Sequence, residues 1–240
     1  MSLPKVLVGI VTYEGKDYCW DLFFNNLLNL EYPNLEFLIV DNSSSSKYYK
    51  ELSKRVKKYE NFSVARVDRG ISSREAQANS LNYIRDYFLA NDFDYFMSIE
   101  SDLIPPVDIV QRLMSHGKDV IGSIYLIGFP DSSSQPPRPC LFQTVKQKDG
   151  VARTINLDPA LGFGFFGRGV QQIHGCGFGA TLMKKNILEQ FKFWYIHDDV
   201  IKHSDVLFYM DLHNAGVPVY VDTDLIVPHH NSKWSLVQDA

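Results

Sequence analysis

The first hundred residues alternate between two hydrophobic periods. Residues 5–12 (KVLVGIVT) form a short apolar run rich in β-branched side chains, the signature of a buried strand. Residues 18–30 (YCWDLFFNNLLNL) are longer, space their apolar positions as a helix does, and are stopped by Pro33. Residues 35–40 (LEFLIV) return to strand and run into Asp41-Asn42 and four serines, a turn and helix-cap composition. Residues 48–59 predict a charged amphipathic helix and residues 62–67 a third strand. A long helix is predicted over 72–89, with Ser72 or Ser73 as its N-cap and Glu75 near the capping-box position. Residues 93–99 (FDYFMSI) make a fourth strand. Such alternation implies βαβ crossovers: an α/β fold on a mainly parallel sheet, with helices on both faces.

After Pro105 the rhythm changes. A helix over 107–116 and a strand over 119–126 precede a segment from 128 to 150, which reads as a loop or hairpin excursion around Pro136-Pro137-Arg138-Pro139. Seven of the 15 glycines then fall between Gly162 and Gly179. Helices over 184–191 and 206–215, the latter closed by Gly216, and strands over 217–221 and 224–227 complete the pattern. There is no repeat, heptad or linker between two cores, so one domain over 1–240 is expected, with halves 1–104 and 105–240.

Composition narrows the class. The 240 residues are 45% hydrophobic and 22% charged, ordinary for a soluble globular protein. A chain of this length buries roughly 70–75% of its unfolded surface and needs no disulfide or metal staple. A net charge of −4 argues against nucleic acid as the main partner, because phosphate binding calls for a basic face. Cys19, Cys140 and Cys176 cannot all pair and lack CxxC spacing, as expected of buried thiols in a reducing compartment. No apolar run of about 18 residues marks a transmembrane helix. The strand-like run from Lys5 leaves no room for a signal peptide, so a cytoplasmic location is expected. The oddity is aromatic content, with 13 Tyr, 16 Phe and 3 Trp.

In open α/β sheets ligands bind beyond the carboxyl ends of the strands. The first strand ends in Thr12-Tyr13-Glu14, the second in Asp41-Asn42 and the fourth in Glu100-Ser101-Asp102. Asp41 could equally cap the following segment through an Asx turn. Two carboxylates flanking one small residue after a buried strand are costly unless compensated. If the chain turns there, both converge on one cation, and hard oxygen ligands select Mg²⁺ or Mn²⁺. The competing reading is a solvated turn ending at Pro105-Pro106. Farther on, Ser204-Asp205 starts a helix, where either residue could serve as N-cap. Asp205 is the candidate general base, ionised at neutral pH if its pKa is ordinary. His229-His230 follow a strand end and could complete a metal shell. Gly162-Phe163-Gly164-Phe165-Phe166-Gly167 matches GxGxxG but opens no helix after a βαβ strand, so it reads as an aromatic lid loop instead of a dinucleotide site. Gly175 to Ala180 precedes a helix, but far from the first βα turn. There is no Walker lysine motif and no GxSxG elbow.

In order along the chain, Val8 to Tyr13, Phe37 to Ser43, the helix after Arg69-Gly70, Tyr95 to Asp102, Gly175 to Ile187, Ser204-Asp205 and Asp224 to His229 resemble the GT-A fold glycosyltransferases, in particular the inverting family 2 type. The resemblance spans most of the chain and implies a GT-A fold. It further implies transfer of a sugar from a UDP- or GDP-linked donor to a sugar, lipid-linked or small-molecule acceptor. By this resemblance Thr12, Tyr13 and Asp41 hold the nucleoside, and Glu100-Ser101-Asp102 stands where the family has its DxD motif. Asp102 binds Mn²⁺ or Mg²⁺, and Glu100 faces the ribose or the metal. Gly175 to Gly179 line the acceptor pocket. Asp205 is the base, His229 the C-terminal metal ligand, and Arg69 and Arg74 neutralise phosphate. Glu100 departs from the first Asp of DxD, and Ser204 from the Glu beside the base. Ser232-Lys233-Trp234 does not fit the Gln-x-x-Arg-Trp box of processive synthases, which implies single-sugar, non-processive transfer. A retaining glycosyltransferase, a nucleotidyltransferase and a non-catalytic nucleotide-sugar-binding module are the alternatives.

Overall fold

The computed structural model describes residues 3–128, 137–146, 152–197 and 203–230. Strands β1 (Val6–Thr12), β2 (Leu35–Asp41), β3 (Phe62–Arg66) and β4 (Tyr95–Ile99) alternate with helices α1 (Trp20–Leu28), α2 (Lys47–Val56) and α3 (Ser73–Ala90). β1 is parallel to both β2 and β4, and β2 to β3, so all four carboxyl ends share one rim. Gly9 lets β1 and α3 approach closely, for a Cβ there would sit 2.5 Å from the Phe96 ring and 2.6 Å from Ile84.

α3 begins as its sequence predicts. Ser72 is the N-cap, and its hydroxyl accepts from the Glu75 amide at 3.1 Å. The Glu75 carboxylate in turn accepts from the Ile71 amide at 2.8 Å, one residue before the usual capping-box donor. Farther along, Arg85 is buried and donates through Nε to the carbonyls of Leu188 and Phe191 at 2.7 and 2.9 Å. Those carbonyls belong to the end of a later helix, so Arg85 satisfies acceptors that its own backbone cannot.

The second half contributes α4 (Ile109–Ser115), β5 (Val120–Ile124) and a small pairing of β6 (Leu126–Ile127) with β7 (Arg138–Pro139). β8 (Leu141–Lys146) and β9 (Ala152–Asn156) form an antiparallel hairpin, partly answering the expected excursion; residues 129–136 and 147–151 lie outside the described residues. There follow α5 (Pro159–Phe163), β10 (Val170–Ile173), β11 (Gly175–Cys176), β12 (Ala180–Lys184), α6 (Lys185–Gln190), α7 (Ser204–Asn214) and β13 (Val219–Ile226). The eight-stranded sheet runs β10-β13-β5-β12-β4-β1-β2-β3 and is mostly parallel, as expected.

The structure departs from the sequence expectation in several elements, β10 and β11 among them, where no strand was expected. β12 lies antiparallel between β4 and β5, where a loop leading into a helix was expected. Its five residues pass directly into α6 with no turn signal between them. The strands expected over 217–221 and 224–227 are one strand, with an irregularity between Asp222 and Ile226 that absorbs the apparent gap. The N-cap of α7 is His203, not Ser204 or Asp205, which are its first helical residues. Finally, part of the expected lid loop is helical, forming α5 and holding Phe163 and Phe166 against each other at 5.4 Å.

The aromatic surplus is largely core. Phe178 meets Phe193, Phe208 and Tyr209 at 5.3–5.4 Å, and Phe193 stacks on Phe208 at 4.8 Å. Trp194 donates its indole N–H to Asp211 at 2.7 Å. Trp234 lies outside the described residues.

Candidate active site

At the carboxyl rim of β1, β2 and β4 opens a cavity of about 710 Å³. Its floor on the acidic side is the turn after β4. The Glu100 amide donates to the Gly179 carbonyl at 2.9 Å, and the Leu103 amide donates back to the Glu100 carbonyl at 3.1 Å, which folds the two carboxylates onto one side. The far end of the chain closes the turn. Beyond β13, Ile104 and Pro228 share a backbone hydrogen bond of 3.0 Å, His230 and Asp102 one of 2.7 Å, and Leu103 bridges to His229.

That pairing delivers His229 to Asp102. Its Nδ1 lies 2.7 Å from the Leu126 carbonyl and can only donate there, so Nε2, 3.1 Å from Asp102 Oδ2, presents either a lone pair or a second proton. Glu100, Asp102 and His229 each offer one ligand atom, and these atoms all lie within 4.8 Å of one another. The Asp102 side chain is 1% exposed, and its Oδ1 is buried with no partner among the described residues. An orphaned buried carboxylate oxygen is costly unless something positive meets it. Two carboxylates and an imidazole fit Mn²⁺, and less comfortably Mg²⁺, with coordination positions left for other oxygens.

The electrostatics of the cluster are uneven. Burial pushes the Glu100 carboxyl up, and the neighbouring Asp102 charge pushes it further. Asp102 is also raised by burial, but the hydrogen bond from His229 and the charge of Lys16 outweigh this and hold it below the usual carboxylate range. Burial disfavours the His229 imidazolium, yet its bond to Asp102 and the two nearby carboxylates keep its pKa above the ordinary value.

Lys16 was not anticipated as a site residue. It sits in a 3-10 turn (Glu14–Cys19) after β1, lines the cavity, and pairs through Nζ with Asp102 Oδ2. A single lysine in a βα turn carries no pattern; its only signal was its place at a strand end. Tyr125, Asn156, Gln77 and His203 also line the cavity, and they too carried no motif.

Thr12, Tyr13, Arg69, Arg74, Glu100, Asp102 and Asp205 all line this one cavity. The Arg69 guanidinium lies over the Tyr13 ring at 5.4 Å. Asp41 and His229 do not line it. Asp41 is paired in register with Thr12 and fully buried, with Oδ1 accepting from the Ser43 amide at 3.0 Å in an Asx turn. Burial raises its pKa despite the Ser43 hydrogen bonds, and its Oδ2 has no partner among the described residues. Gly175 to Gly179 lie behind the wall instead of on it. A Cβ at Gly177 would fall 1.7 Å from the Tyr125 hydroxyl, so this stretch sets where that ring stands.

Asp205 faces the cavity from the first turn of α7, with Oδ1 accepting from the Val206 amide at 2.7 Å. Burial pushes its pKa up to about 7, against that hydrogen bond and with help from the Glu100 charge. The ordinary value expected from sequence is thus corrected: burial leaves this carboxyl poised at neutral pH.

No protein-family profile matches the chain, and no curated protein matches it. Solved structures do. One is a mannosyltransferase, PcManGT from Pyrobaculum calidifontis, in complex with GDP-Man and Mn²⁺, with a TM-score of 0.61 over 95% of this chain at 13% identity. The fold is GT-A-like. The match takes in 57% of the mannosyltransferase chain, so this chain spans little more than half of that length. The cluster of Glu100, Asp102 and His229 joins the strand rim to the end of the last strand at one point. Among the described residues no helix is long and apolar enough to cross a membrane.

Proposed function

We propose that the chain is a metal-dependent glycosyltransferase that moves one sugar from a UDP- or GDP-linked donor to an acceptor hydroxyl, with inversion and without processivity. One observation carries this reading: Glu100, Asp102 and His229 gather their ligand atoms within 4.8 Å, beside a cavity that also holds Asp205. The likeness to a protein solved in complex with GDP-Man and Mn²⁺ supports the choice of donor and ion.

In this reading residues 1–104 supply the donor half and residues 105–240 the acceptor half. Glu100, Asp102 and His229 hold Mn²⁺ or Mg²⁺, which supplies positive charge for the departing diphosphate. Thr12 and Tyr13 position the nucleoside, with Asp41 supporting Thr12 from the adjacent strand. Arg69 and Arg74 offset phosphate charge. Asp205 accepts the proton of the acceptor hydroxyl as its oxygen bonds to the anomeric carbon. The nucleoside diphosphate leaves from the opposite face with the bonding electrons, so the anomeric configuration inverts. The acceptor is a sugar, a lipid-linked sugar or another small hydroxyl compound.

The test is a transfer assay over UDP- and GDP-sugars with Mn²⁺, with the product anomer read by NMR. Loss of transfer with EDTA and in Asp205→Asn supports the reading. Transfer that is undiminished by EDTA, or a product of retained configuration, contradicts it.

A further inference from the structure

We propose that Lys16 is a built-in counter-cation of the acidic turn, which a divalent ion displaces and which then becomes a ligand of the donor diphosphate. The inference rests on the metal- and nucleotide-dependent reading above but assigns a residue that reading does not use.

The Lys16 ammonium is held by Asp102 Oδ2, the same oxygen that stands 3.1 Å from His229 Nε2. It therefore neutralises Asp102 at the oxygen that faces His229, beside the place where the ligand atoms of Glu100, Asp102 and His229 gather. An ammonium and a divalent ion cannot share one carboxylate oxygen at contact, because like charges that close repel strongly in a poorly solvated site. With the ion on Oδ1, which has no partner among the described residues, the two charges still share one buried carboxylate, so each weakens the binding of the other.

The two partners are unequally anchored. The Asp102 side chain is 1% exposed, whereas the Lys16 side chain is 28% exposed and opens onto the cavity. The backbone that carries Lys16 is pinned. Cys19 Sγ lies 3.3 Å from the Lys16 carbonyl and 3.2 Å from the Ser101 carbonyl, tying the turn to the acidic residues. The Tyr18 hydroxyl donates to the His230 carbonyl at 2.5 Å. A fixed backbone with a flexible four-carbon stem lets the ammonium swing without losing its place. Arg69 and Arg74 line the same cavity, so a displaced Lys16 stays where phosphate oxygens would complete a three-cation cradle.

This arrangement couples the two ligands. Metal binding frees Lys16 for the diphosphate, and the diphosphate draws Lys16 off the metal site, so each must raise the affinity for the other by the same factor. Without nucleotide, Lys16 keeps the carboxylate neutralised and the ion weakly held.

Mn²⁺ binding followed by electron paramagnetic resonance, with and without GDP or UDP, tests this on the wild type, Lys16→Met and Lys16→Arg. Lys16→Met should bind Mn²⁺ alone at least about ten-fold more tightly than the wild type, because it removes the competing ammonium and leaves the buried carboxylate with His229 as its partner. Nucleoside diphosphate should strengthen Mn²⁺ binding in the wild type and much less in Lys16→Met. Lys16→Arg, which keeps the charge, should bind Mn²⁺ alone as weakly as the wild type. Equal or weaker Mn²⁺ binding by a folded Lys16→Met overturns the proposal; Lys16→Gln makes the same comparison if the methionine variant does not fold. Adding Asp102→Ala to Lys16→Met separates the two readings. If the double variant binds Mn²⁺ as well as Lys16→Met does, the metal site itself is misassigned and the Lys16 proposal falls with it. If Asp102→Ala abolishes binding while Lys16→Met changes nothing, the site stands and only the Lys16 role fails.

Discussion

Replacing Asp205 with Asn should cost activity and gain stability, and the two effects should share a pH dependence. In the metal-free protein the carboxyl is raised from 3.8 to about 7, chiefly by burial. That rise corresponds to about 4 kcal/mol of preference for the neutral form, an upper bound because the carboxyl faces a wet cavity. The folded chain therefore holds this proton more tightly than the unfolded chain. Below about pH 4 both states are protonated and Asp205 costs nothing. Between about pH 4 and pH 7 the unfolded state ionises first and stability falls; above pH 7 the deficit is constant. Urea denaturation across this range should show Asp205→Asn close to the wild type at pH 4 and more stable by about 1–4 kcal/mol at pH 8. The transfer rate should behave oppositely. Wild-type kcat/KM should rise with pH as Asp205 ionises, and Asp205→Asn should lose roughly 10²–10⁴-fold. A stability difference that does not change between pH 4 and pH 8 would refute the burial argument. Undiminished transfer by Asp205→Asn would refute its role as base.

Two further predictions concern the frame around the site. Gly177→Ala places a Cβ against the Tyr125 hydroxyl and 2.7 Å from Cys140 Sγ, so it should lower stability by about 1–3 kcal/mol in thermal melts and weaken nucleoside diphosphate binding by displacing a cavity wall. Asp222 accepts from Arg112 at 2.7 and 3.1 Å and meets His116 at 3.2 Å, and these partners outweigh burial to hold its pKa below the ordinary value. Its stabilisation is present above about pH 4 and lost as pH falls through the depressed pKa. Asp222→Asn should therefore destabilise at pH 7, with the gap to the wild type closing in acid.

The first half of the fold was legible because its strands are buried on both faces and read as unbroken apolar runs, as in Val6 to Ile10. α3 carries a cap whose chemistry is local, at Ser72, whereas α1 and α2 begin without a side-chain cap and were read from their apolar spacing. β12 was not legible. Ala180–Lys184 is as short as a loop, runs directly into α6, and becomes a strand only because β4 and β5 leave a slot between them. The site shows the same division. Thr12, Glu100 and Asp102 follow from the rule that ligands gather at strand ends, so position alone exposed them. His229 was exposed by its place after a strand end and by the family resemblance, but its approach to Asp102 comes from the pairing of residues 102–104 with 228–230, which no sequence spacing encodes. Lys16 and the raised pKa of Asp205 are properties of burial and neighbours, and these exist only once the chain has folded.

The central claim is that Glu100, Asp102 and His229 hold a divalent ion for a nucleoside diphosphate. Titrating Mn²⁺ into the wild type and Asp102→Ala with saturating GDP or UDP, read by electron paramagnetic resonance, tests it most directly. One tightly bound ion per wild-type chain is expected, with a loss of at least about 100-fold in affinity in the variant. Equal Mn²⁺ binding by the two proteins, or none by the wild type, would contradict it.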